Sequence, residues 1–293
     1  MGTLENTSKN WRIGRMPKPW SKEEVALIVQ DYFSMLQSEL LSAYYNKTEH
    51  RQKLKKILSN RSEGSIEMKH QNISAVLIEL GMPYINGYKP RGNYQNLLLE
   101  TIKDYISENT EIVQVMEDAV NLEAEIPSVE NILESLVAPP KQIFRTQCPQ
   151  KRPPFTNLSG TNYLRKEAQN QKLGLAGEIF VINFEKAWLI SRGKNHLSEI
   201  VEHTALFNDA AGFDIHSYNE DGSDKFIEAK TTRFGQYTPF FATRNEVEFS
   251  TKNHEQYWLY RVFEFEKNAK MFTLKGSLTE SFTLTPTEFM VRR

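Results

Sequence analysis

Cysteine is almost absent from this chain, since Cys148 is the single thiol among 293 residues. One cysteine excludes an internal disulfide framework and a zinc site built from several thiolates. The six histidines are scattered and never show the H-E-x-x-H spacing of a zinc hydrolase. No apolar run approaches the roughly 20 residues that span a bilayer. These absences predict a cytoplasmic protein that has neither a membrane partner nor zinc chemistry.

The chain also lacks a charge excess, because its net charge is −1 although 25% of its residues are charged. The strongly basic balance that would indicate a nucleic-acid partner is therefore missing from the chain as a whole. The stretch MGTLENTSKNW at the start contains no apolar h-region, so we do not expect a secretory signal. The length and the 39% of hydrophobic residues suffice for two domains with sizeable cores.

Helical periodicity runs through residues 20–135 and predicts an all-α domain at 1–136. The first helix begins with Ser21 followed by Glu24, which is the spacing of a capping box. The third is closed by Gly81. Five helices are predicted, in the stretches SKEEVALIVQDYFSMLQSELL, HRQKLKKILSNR, SIEMKHQNISAVLIELG, YQNLLLETIKDYISEN and SVENILESLV.

Residues 137–165 hold five prolines and little periodicity, which is typical of a linker that is extended in places. Between Phe144 and Lys172 the chain has six basic residues and one acidic residue, Glu167. The basic residues are Arg145, Lys151, Arg152, Arg165, Lys166 and Lys172. Residues 166–293 then mix helix and strand. A helix is predicted at GLAGEIFVINFEKAWLIS, a short one near Asn245, and strands at FDIHSY, KFIEAKTT, QYWLYRVFEF and AKMFTLKG.

Three charged residues alternate with apolar neighbours in the stretch GFDIHSYNEDGSDKFIEAKTT at residues 212–232. Two alternating segments flank the turn cluster NEDGSD, so the stretch predicts a β-hairpin. Asp214 lies on the first strand, whereas Glu228 and Lys230 share one face of the second because they are two residues apart. Carboxylates hold a hard cation through oxygen, and an ammonium stabilises charge on a phosphoryl group. The alternative is an exposed hairpin with paired surface charges.

The order Asp, then Glu-x-Lys, resembles the PD-(D/E)XK nuclease superfamily. The surrounding sequence, roughly residues 165–265, resembles a nuclease-like domain. This domain occurs at the C-terminus of the plant NO VEIN protein and in bacterial restriction and defence proteins. The motifs that carry this resemblance are G-E at 177–178, G-F-D-I at 212–215, I-E-A-K-T-T at 227–232 and N-E at 245–246. The family usually has Val where this chain has Ala229, a departure that leaves the facing side chains unchanged.

The resemblance implies an α+β multidomain protein in which a restriction-endonuclease-like αβββαβ domain occupies residues 166–293. It implies that Asp214 and Glu228 hold Mg²⁺, which Mn²⁺ can replace, and that Lys230 positions water or stabilises the phosphate. The alternative for Lys230 is a structural ion pair with Glu228. Glu178, on the first helix of that core, would assist at the metal, or is a solvated helical charge. Gln236, Asn245 and Glu246 could line the site or bind the DNA backbone, but an ordinary loop is favoured for them. Local hydrogen bonds are favoured over catalysis for His203 and His216.

Residues 47–91 are locally basic, with nine Lys and Arg against four Asp and Glu, and amide and tyrosine side chains lie between them. Basic groups neutralise phosphates and amides read base edges, so this tract predicts DNA recognition, unless it is a solvated helical face beside a packed aromatic loop. The N-terminal text is also similar to that of predicted restriction enzymes. The DNA-binding candidates are Arg51, Lys55, Lys69, His70, Gln71, Asn72, Tyr88, Lys89 and Arg91.

Together these features predict a Mg²⁺-dependent DNA endonuclease of restriction or antiviral defence. The helical domain would choose double-stranded DNA and the C-terminal domain would cut it. Cutting both strands needs two active sites, so a homodimer, or a pair of molecules that meets on DNA, is expected. Two alternatives remain open: a non-catalytic nucleic-acid or protein-binding module on a nuclease fold, and an RNA nuclease.

Overall fold

The computed structural model describes residues 18–141, 161–208 and 210–288. The first of these ranges is helical, and the chain mixes helices with a sheet after residue 161. The helices of the first range are α1 Lys22–Leu40, α2 Lys47–Ile57, α3 Glu63–Glu79, α4 Asn96–Glu108 and α5 Thr110–Asn121. The later elements are α6 Tyr163–Ala168, α7 Gln171–Ser191, α8 Asn195–Glu199, β1 Ile215–Tyr218, β2 Asp224–Thr231, α9 Arg244–Lys252, β3 Tyr257–Phe263, α10 Phe265–Asn268, β4 Lys270–Lys275 and α11 Leu278–Ser281. The described chain is therefore an α+β protein.

The predicted start of α1 is confirmed, because Ser21 and Glu24 form a reciprocal capping box. The end of α3 at Gly81 is also confirmed, since this residue has a φ of 70°. Both signals can be identified from the sequence because they are local. A cap satisfies the unpaired backbone groups at a helix end, whatever the rest of the protein packs against that helix.

The fifth predicted helix, at SVENILESLV, is wrong, because only a short 3₁₀ turn, Ile132–Ser135, forms there. The chain next extends along β4, where the backbone N–H of Val137 donates to the carbonyl of Met271 at 2.8 Å. Helix α5, which the sequence interpretation missed, lies upstream. It buries Ile112, Met116 and Val120, at the spacing of one helix face.

The sheet has the strand order β1-β2-β3-β4. β2 is antiparallel to β1 and parallel to β3, and β4 is antiparallel to β3. The predicted order αβββαβ is not observed, since the described chain runs α7, β1, β2, α9, β3, β4 around this sheet. An isolated antiparallel bridge joins Glu202 to His216 on the outer edge of β1. If that bridge is counted as a reduced strand, the order becomes αβββαββ, with β4 added at the end.

The two halves of the chain pack against each other through residues on both sides of the predicted linker. Tyr163 and Leu164 of α6, and Phe234 from the loop after β2, are buried in the core of the helical half. The N–H of Leu164 donates to the carbonyl of Gly81 at 3.1 Å. Most of the predicted linker lies outside the described residues, including Arg145, Cys148, Lys151 and Arg152. Within the described ranges, no helix is long and apolar enough to cross a membrane.

Candidate functional site

Asp214 is fixed where the chain enters the hairpin. It directly precedes β1, and its backbone N–H donates to the carbonyl of Ile227 on β2 at 2.9 Å. Its Oδ2 accepts the N–H of Ala229 at 2.8 Å. Two residues earlier, Gly212 has a φ of 85° and packs against Phe249 of α9. An added Cβ would lie only 2.7 Å from that side chain, so the position requires glycine. The glycine and aspartate of the G-F-D-I motif thus anchor the carboxyl group beside the middle of β2.

Glu228 and Lys230 extend from β2 on one face and form an ion pair. Lys230 Nζ lies 2.6 Å from Glu228 Oε1 and 3.0 Å from Oε2 of Glu246, which belongs to α9. Glu228 is buried, with 2% of its surface exposed. The sequence-predicted residues Asp214, Glu228 and Lys230 therefore lie together, as the hairpin pattern indicated.

Burial and mutual charge perturb all three groups. Burial raises the pKa of Asp214 to about 6, against the opposing effect of Lys230. Burial likewise holds the pKa of Glu228 well above its usual range. Burial alone would lower the pKa of Lys230, but the charges of Glu228, Glu246 and Asp214 keep it above its ordinary value. Carboxylates forced together in a buried place are an arrangement that a bound cation relieves.

Glu246 is a site residue that sequence reasoning assigned to an ordinary loop. The short helix predicted near Asn245 is confirmed as α9, and Thr243 and Glu246 form a capping box at its start. The spacing of threonine and glutamate was visible in the sequence and indicated a helix end. Its contact with Lys230 depends on how α9 packs beside β2, which no local pattern shows.

Glu178 extends from α7 toward the same region, and its charge contributes to the raised pKa of Asp214. Its Oε2 lies 2.5 Å from Nε2 of His203, in the segment before β1. The histidine therefore has a hydrogen-bond partner, although that partner lies 25 residues away along the chain and is not local. One oxygen of the predicted metal assistant is thus already engaged.

A cavity of about 500 Å³ opens beside these groups. It is lined by Ala205, Asn208, Ala210, Gly212, Phe213, Asp214, Glu228, Thr243, Asn245 and Glu246. The amide Nδ2 of Asn245 donates to the carbonyl of Ala210 at 3.0 Å, which ties α9 to the loop before the hairpin. The lining therefore contains three carboxylates, and the loop before the hairpin, which forms part of it, is fixed by its hydrogen bond to α9.

Three buried polar atoms on this face of the sheet have no hydrogen-bond partner among the described residues, namely Glu228 Oε2, the hydroxyl of Tyr257 and Nε of Arg261. Tyr257 opens β3 beside Phe226 in the parallel register, so its side chain shares the face of Glu228. Burial, followed by the charges of Glu228, Glu246 and Asp214, raises the pKa of the tyrosine. Buried groups without partners are rare in folded proteins, so the oxygens of Glu228 and Tyr257 mark a place where a bound group would supply the missing partner.

Four of the predicted DNA contacts in the helical half are corrected by burial. Lys69, His70, Asn72 and Tyr88 are each at most 5% exposed, and side chains in the core do not reach a base. His70 lies between Asp31 Oδ2, at 3.4 Å, and the Tyr88 hydroxyl, at 3.2 Å. Their interior position reflects a polar network that holds α3 against the loop after it.

The remaining candidates are less buried, and several have internal partners. Asn72 donates to the carbonyl of Arg91 at 2.7 Å, while the side chain of Arg91 is exposed. Lys89 lies over the ring of Tyr237, 5.7 Å from its centre. Gln71 is half-buried.

On α2, Arg51 pairs with Glu63 and Glu67, and Lys55 donates to the carbonyl of Ser59 at 2.8 Å. Lys53 and Lys56 of the same helix are exposed. The basic surface is therefore smaller than the count of charges predicted, and it is centred on α2.

Residues 177–274 match the family described as Protein NO VEIN, C-terminal, and this match covers about a third of the 293 residues. No curated protein matches this chain, and no solved structure matches it. The matched range begins on α7 at Gly177 and ends within β4, so it includes both the hairpin and α9. The candidate site thus lies entirely within the part of the chain that is similar to the C-terminal region of NO VEIN.

Proposed function

We propose that the C-terminal half is a Mg²⁺-dependent nuclease that hydrolyses phosphodiester bonds in DNA. The observation that carries this proposal is the cavity that Asp214, Glu228 and Glu246 line together, with Oε2 of Glu228 buried and unpartnered. Lys230 joins this group through its pairs with Glu228 and Glu246. A bare structural ion pair would satisfy its own buried oxygens. The similarity to the NO VEIN C-terminal family supports a nuclease-like role.

Asp214 and Glu228 are the residues that would hold Mg²⁺. The described residues contain no cluster of three or more His, Cys, Asp or Glu side chains with the arrangement of a metal site. Mg²⁺ does not need one, because it keeps several waters and is commonly bound by one or two carboxylates plus substrate phosphate. When bound, the cation supplies a Lewis acid that polarises the phosphoryl oxygen and acidifies a water. The unpartnered oxygen of Glu228 and the raised pKa of Asp214 fit this donor set.

Lys230 would stabilise the negative charge that develops on the phosphate. Its ammonium has three N–H donors, of which Glu228 and Glu246 take two. Those carboxylates also keep its pKa above the ordinary value, so the group stays charged at neutral pH. The third donor is left for a substrate oxygen or the attacking water. Fixed charges of this kind stabilise a transition state because they need no reorganisation during the reaction.

Double-stranded DNA as the substrate, a homodimer as the cutting species and a role in restriction or antiviral defence also belong to this proposal. They come from the resemblance to restriction-type nucleases, and the homodimer follows from the need for one site per strand. The helical half would choose the DNA through the exposed part of its basic surface. An RNA substrate, or binding without cutting, would be the alternative outcome of the following experiment.

We expect plasmid DNA to be nicked or cut in the presence of Mg²⁺ or Mn²⁺, and to remain intact in excess EDTA. Ca²⁺ should support binding with little cutting, because its looser coordination does not hold the geometry of in-line attack. The assay incubates modified and unmodified plasmid, with an RNA of equal length in parallel, and follows nicks on gels. A Glu228→Gln protein prepared in the same way controls for contaminating nucleases. Full activity in EDTA would reject the metal, and binding without cleavage in every cation would favour a non-catalytic module.

We also expect the basic surface of α2 to bind the phosphate backbone. Replacing Lys53 and Lys56, the two exposed lysines of this helix, by Glu should weaken binding to all duplex sequences alike. If each lysine neutralises one phosphate, the log–log slope of affinity against salt should flatten by about 0.9 per residue. Fluorescence anisotropy at several salt concentrations measures this slope.

A matched control carries Lys172→Glu and Lys194→Glu, which change lysines of the C-terminal half. Equal slopes for the wild type and the α2 variant would remove α2 from the interface. A loss of affinity in the control as large as that in the α2 variant would have the same consequence, because it would show a general effect of net charge.

A further inference from the structure

The segment that follows Lys230 is held by Glu167 of α6. Glu167 is 2% exposed, its Oε2 accepts the hydroxyl of Thr232 at 2.7 Å, and its Oε1 accepts the N–H of Arg233 at 2.8 Å. Both carboxylate oxygens are therefore used to fix the two residues that lie just beyond the end of β2. Buried polar groups with complete hydrogen bonding fix geometry strictly, because breaking such a bond leaves an unsatisfied group.

Arg261 joins the same segment to Lys230 itself. It lies beside Lys230 in the register of β2 and β3, and it is 2% exposed. Its Nη1 donates to the carbonyl of Lys230 at 2.9 Å, and its Nη2 donates to the carbonyl of Thr238 at 3.1 Å. One planar guanidinium thus spans both ends of the segment 230–238. A displacement of Thr238 would therefore shift Arg261 and, through it, the backbone of Lys230.

The helical half holds the middle of this segment. The hydroxyl of Tyr84 accepts the N–H of Tyr237 at 3.1 Å, and Phe234 is buried in the helical core. Gly235 lies so close that an added Cβ would be 2.6 Å from Oδ1 of Asn86. Helix α6 is anchored on the same side, because Leu164 is buried in the helical core. The segment after Lys230 is therefore bound to both halves at once.

We propose that Glu167 and Arg261 are positioning residues through which the helical half sets the placement of Lys230. This inference rests on the proposed nuclease activity, in which Lys230 acts on the phosphate. The hydrogen bonds described for the two residues go to Thr232 and to backbone groups, so what they fix is the path of the chain. A displacement of the helical half on binding nucleic acid would pass through segment 230–238 to the ammonium, and would couple recognition to cutting.

The test compares Glu167→Gln and Tyr84→Phe with the wild type in the full chain. We expect kcat to fall on the order of tenfold in each variant, since small misplacements of a reacting group are costly. The KM and the affinity for DNA should stay within about twofold, because neither residue contacts the nucleic acid in this proposal. The matched control is Lys172→Ala, which removes an exposed ion pair with Glu123 between the same two halves. Equal kcat values for the wild type and both variants would overturn the proposal.

A double-substitution cycle separates positioning from a general loss of stability. When Glu167→Gln is added to a Lys230→Ala protein, it should lower the residual cleavage rate no further, because the group it positions is gone. If the two rate losses multiply, Glu167 acts independently of Lys230 and the inference fails.

Amide hydrogen exchange keeps this inference distinct from the proposed activity. If the wild type cuts no nucleic acid, the nuclease proposal fails, yet the clamp can still be examined. Tyr84→Phe should then speed exchange in residues 230–238 by roughly an order of magnitude and leave β4 unchanged. Lys172→Ala should change neither region. Unchanged exchange in residues 230–238 would show that the helical half does not hold this segment.

Discussion

Replacing Glu228 by Gln should abolish cleavage and leave the protein folded. The substitution removes the charge that would hold Mg²⁺, and losing one preorganised charge stabiliser commonly costs roughly 10²–10³ in rate. The stability should change little, because the amide weakens the contact with Lys230 at 2.6 Å but relieves a buried carboxylate whose pKa burial raises. Burying an ionised carboxylate is costly, and a neutral amide of the same shape avoids that cost. Initial rates of plasmid nicking and thermal melting measure the two effects.

Asp214→Asn provides an independent probe of the same site. The amide oxygen of Asn can still accept the N–H of Ala229, so the hairpin should keep its anchor while the charge is lost. The matched control is Asp224→Asn, which changes an exposed carboxylate at the other end of the hairpin. The control should cut at the wild-type rate. Wild-type cutting by either Glu228→Gln or Asp214→Asn would reject the metal assignment, and folding is checked by the melting curve of each variant.

The hairpin and its charged residues could be predicted from the sequence because every signal involved is local. Period-two alternation places Glu228 and Lys230 on one face whatever lies around them, and the turn cluster fixes where the strands reverse. An acidic residue between two apolar ones is costly unless it is paired or bound to a ligand, which marked Asp214 in advance. These features needed no knowledge of tertiary packing.

Glu246 could not be found in this way, because its role depends on the docking of α9 beside β2. The capping box predicts where α9 begins and gives an adequate local reason for the glutamate. Its second contact, with Lys230, joins residues from different elements. Because the capping role already explains the glutamate locally, the sequence gives no reason to look for its contact with Lys230.

The helical half shows the opposite error, since a count of charges does not say which way they point. Lys69 and His70 lie on α3 among residues of the core, and His70 is fully buried between Asp31 and Tyr88. Arg61 is also buried, with Glu24 as its partner. Polar side chains can be paired inside a helical core, as Arg61 is with Glu24, and their composition resembles that of a binding surface. The exposed side chains of Lys53, Lys56 and Arg91 remain as candidates for the phosphate backbone.

Gly177→Ala should destabilise the C-terminal half and reduce cleavage at the same time. Gly177 lies where α7 crosses β2, and an added Cβ would be 1.7 Å from Oγ1 of Thr231. Overpacking of a tight contact costs about 1–3 kcal/mol, because backbone or side chains must shift. Thr231 directly follows Lys230, so the shift would reach the site. Urea unfolding monitored by tyrosine and tryptophan fluorescence, together with the nicking rate, measures both effects.

The loss of stability in Gly177→Ala should come from the contact of the new methyl group with Thr231, and not from a change in helix propensity. Gly174→Ala on the same helix is the matched control, because its added Cβ would meet only Glu178 Oε1, at 3.9 Å. Alanine is favoured over glycine within a helix by about 1 kcal/mol, so this control should be neutral or stabilising. Thr231→Ala removes the atom nearest to the new methyl group, and that atom has no hydrogen-bond partner to lose. Adding Thr231→Ala to Gly177→Ala should therefore recover part of the stability, although Cβ of residue 231 would still lie 2.7 Å away. If the double variant is no more stable than Gly177→Ala alone, then the close approach of α7 to β2 does not explain the glycine of the G-E motif.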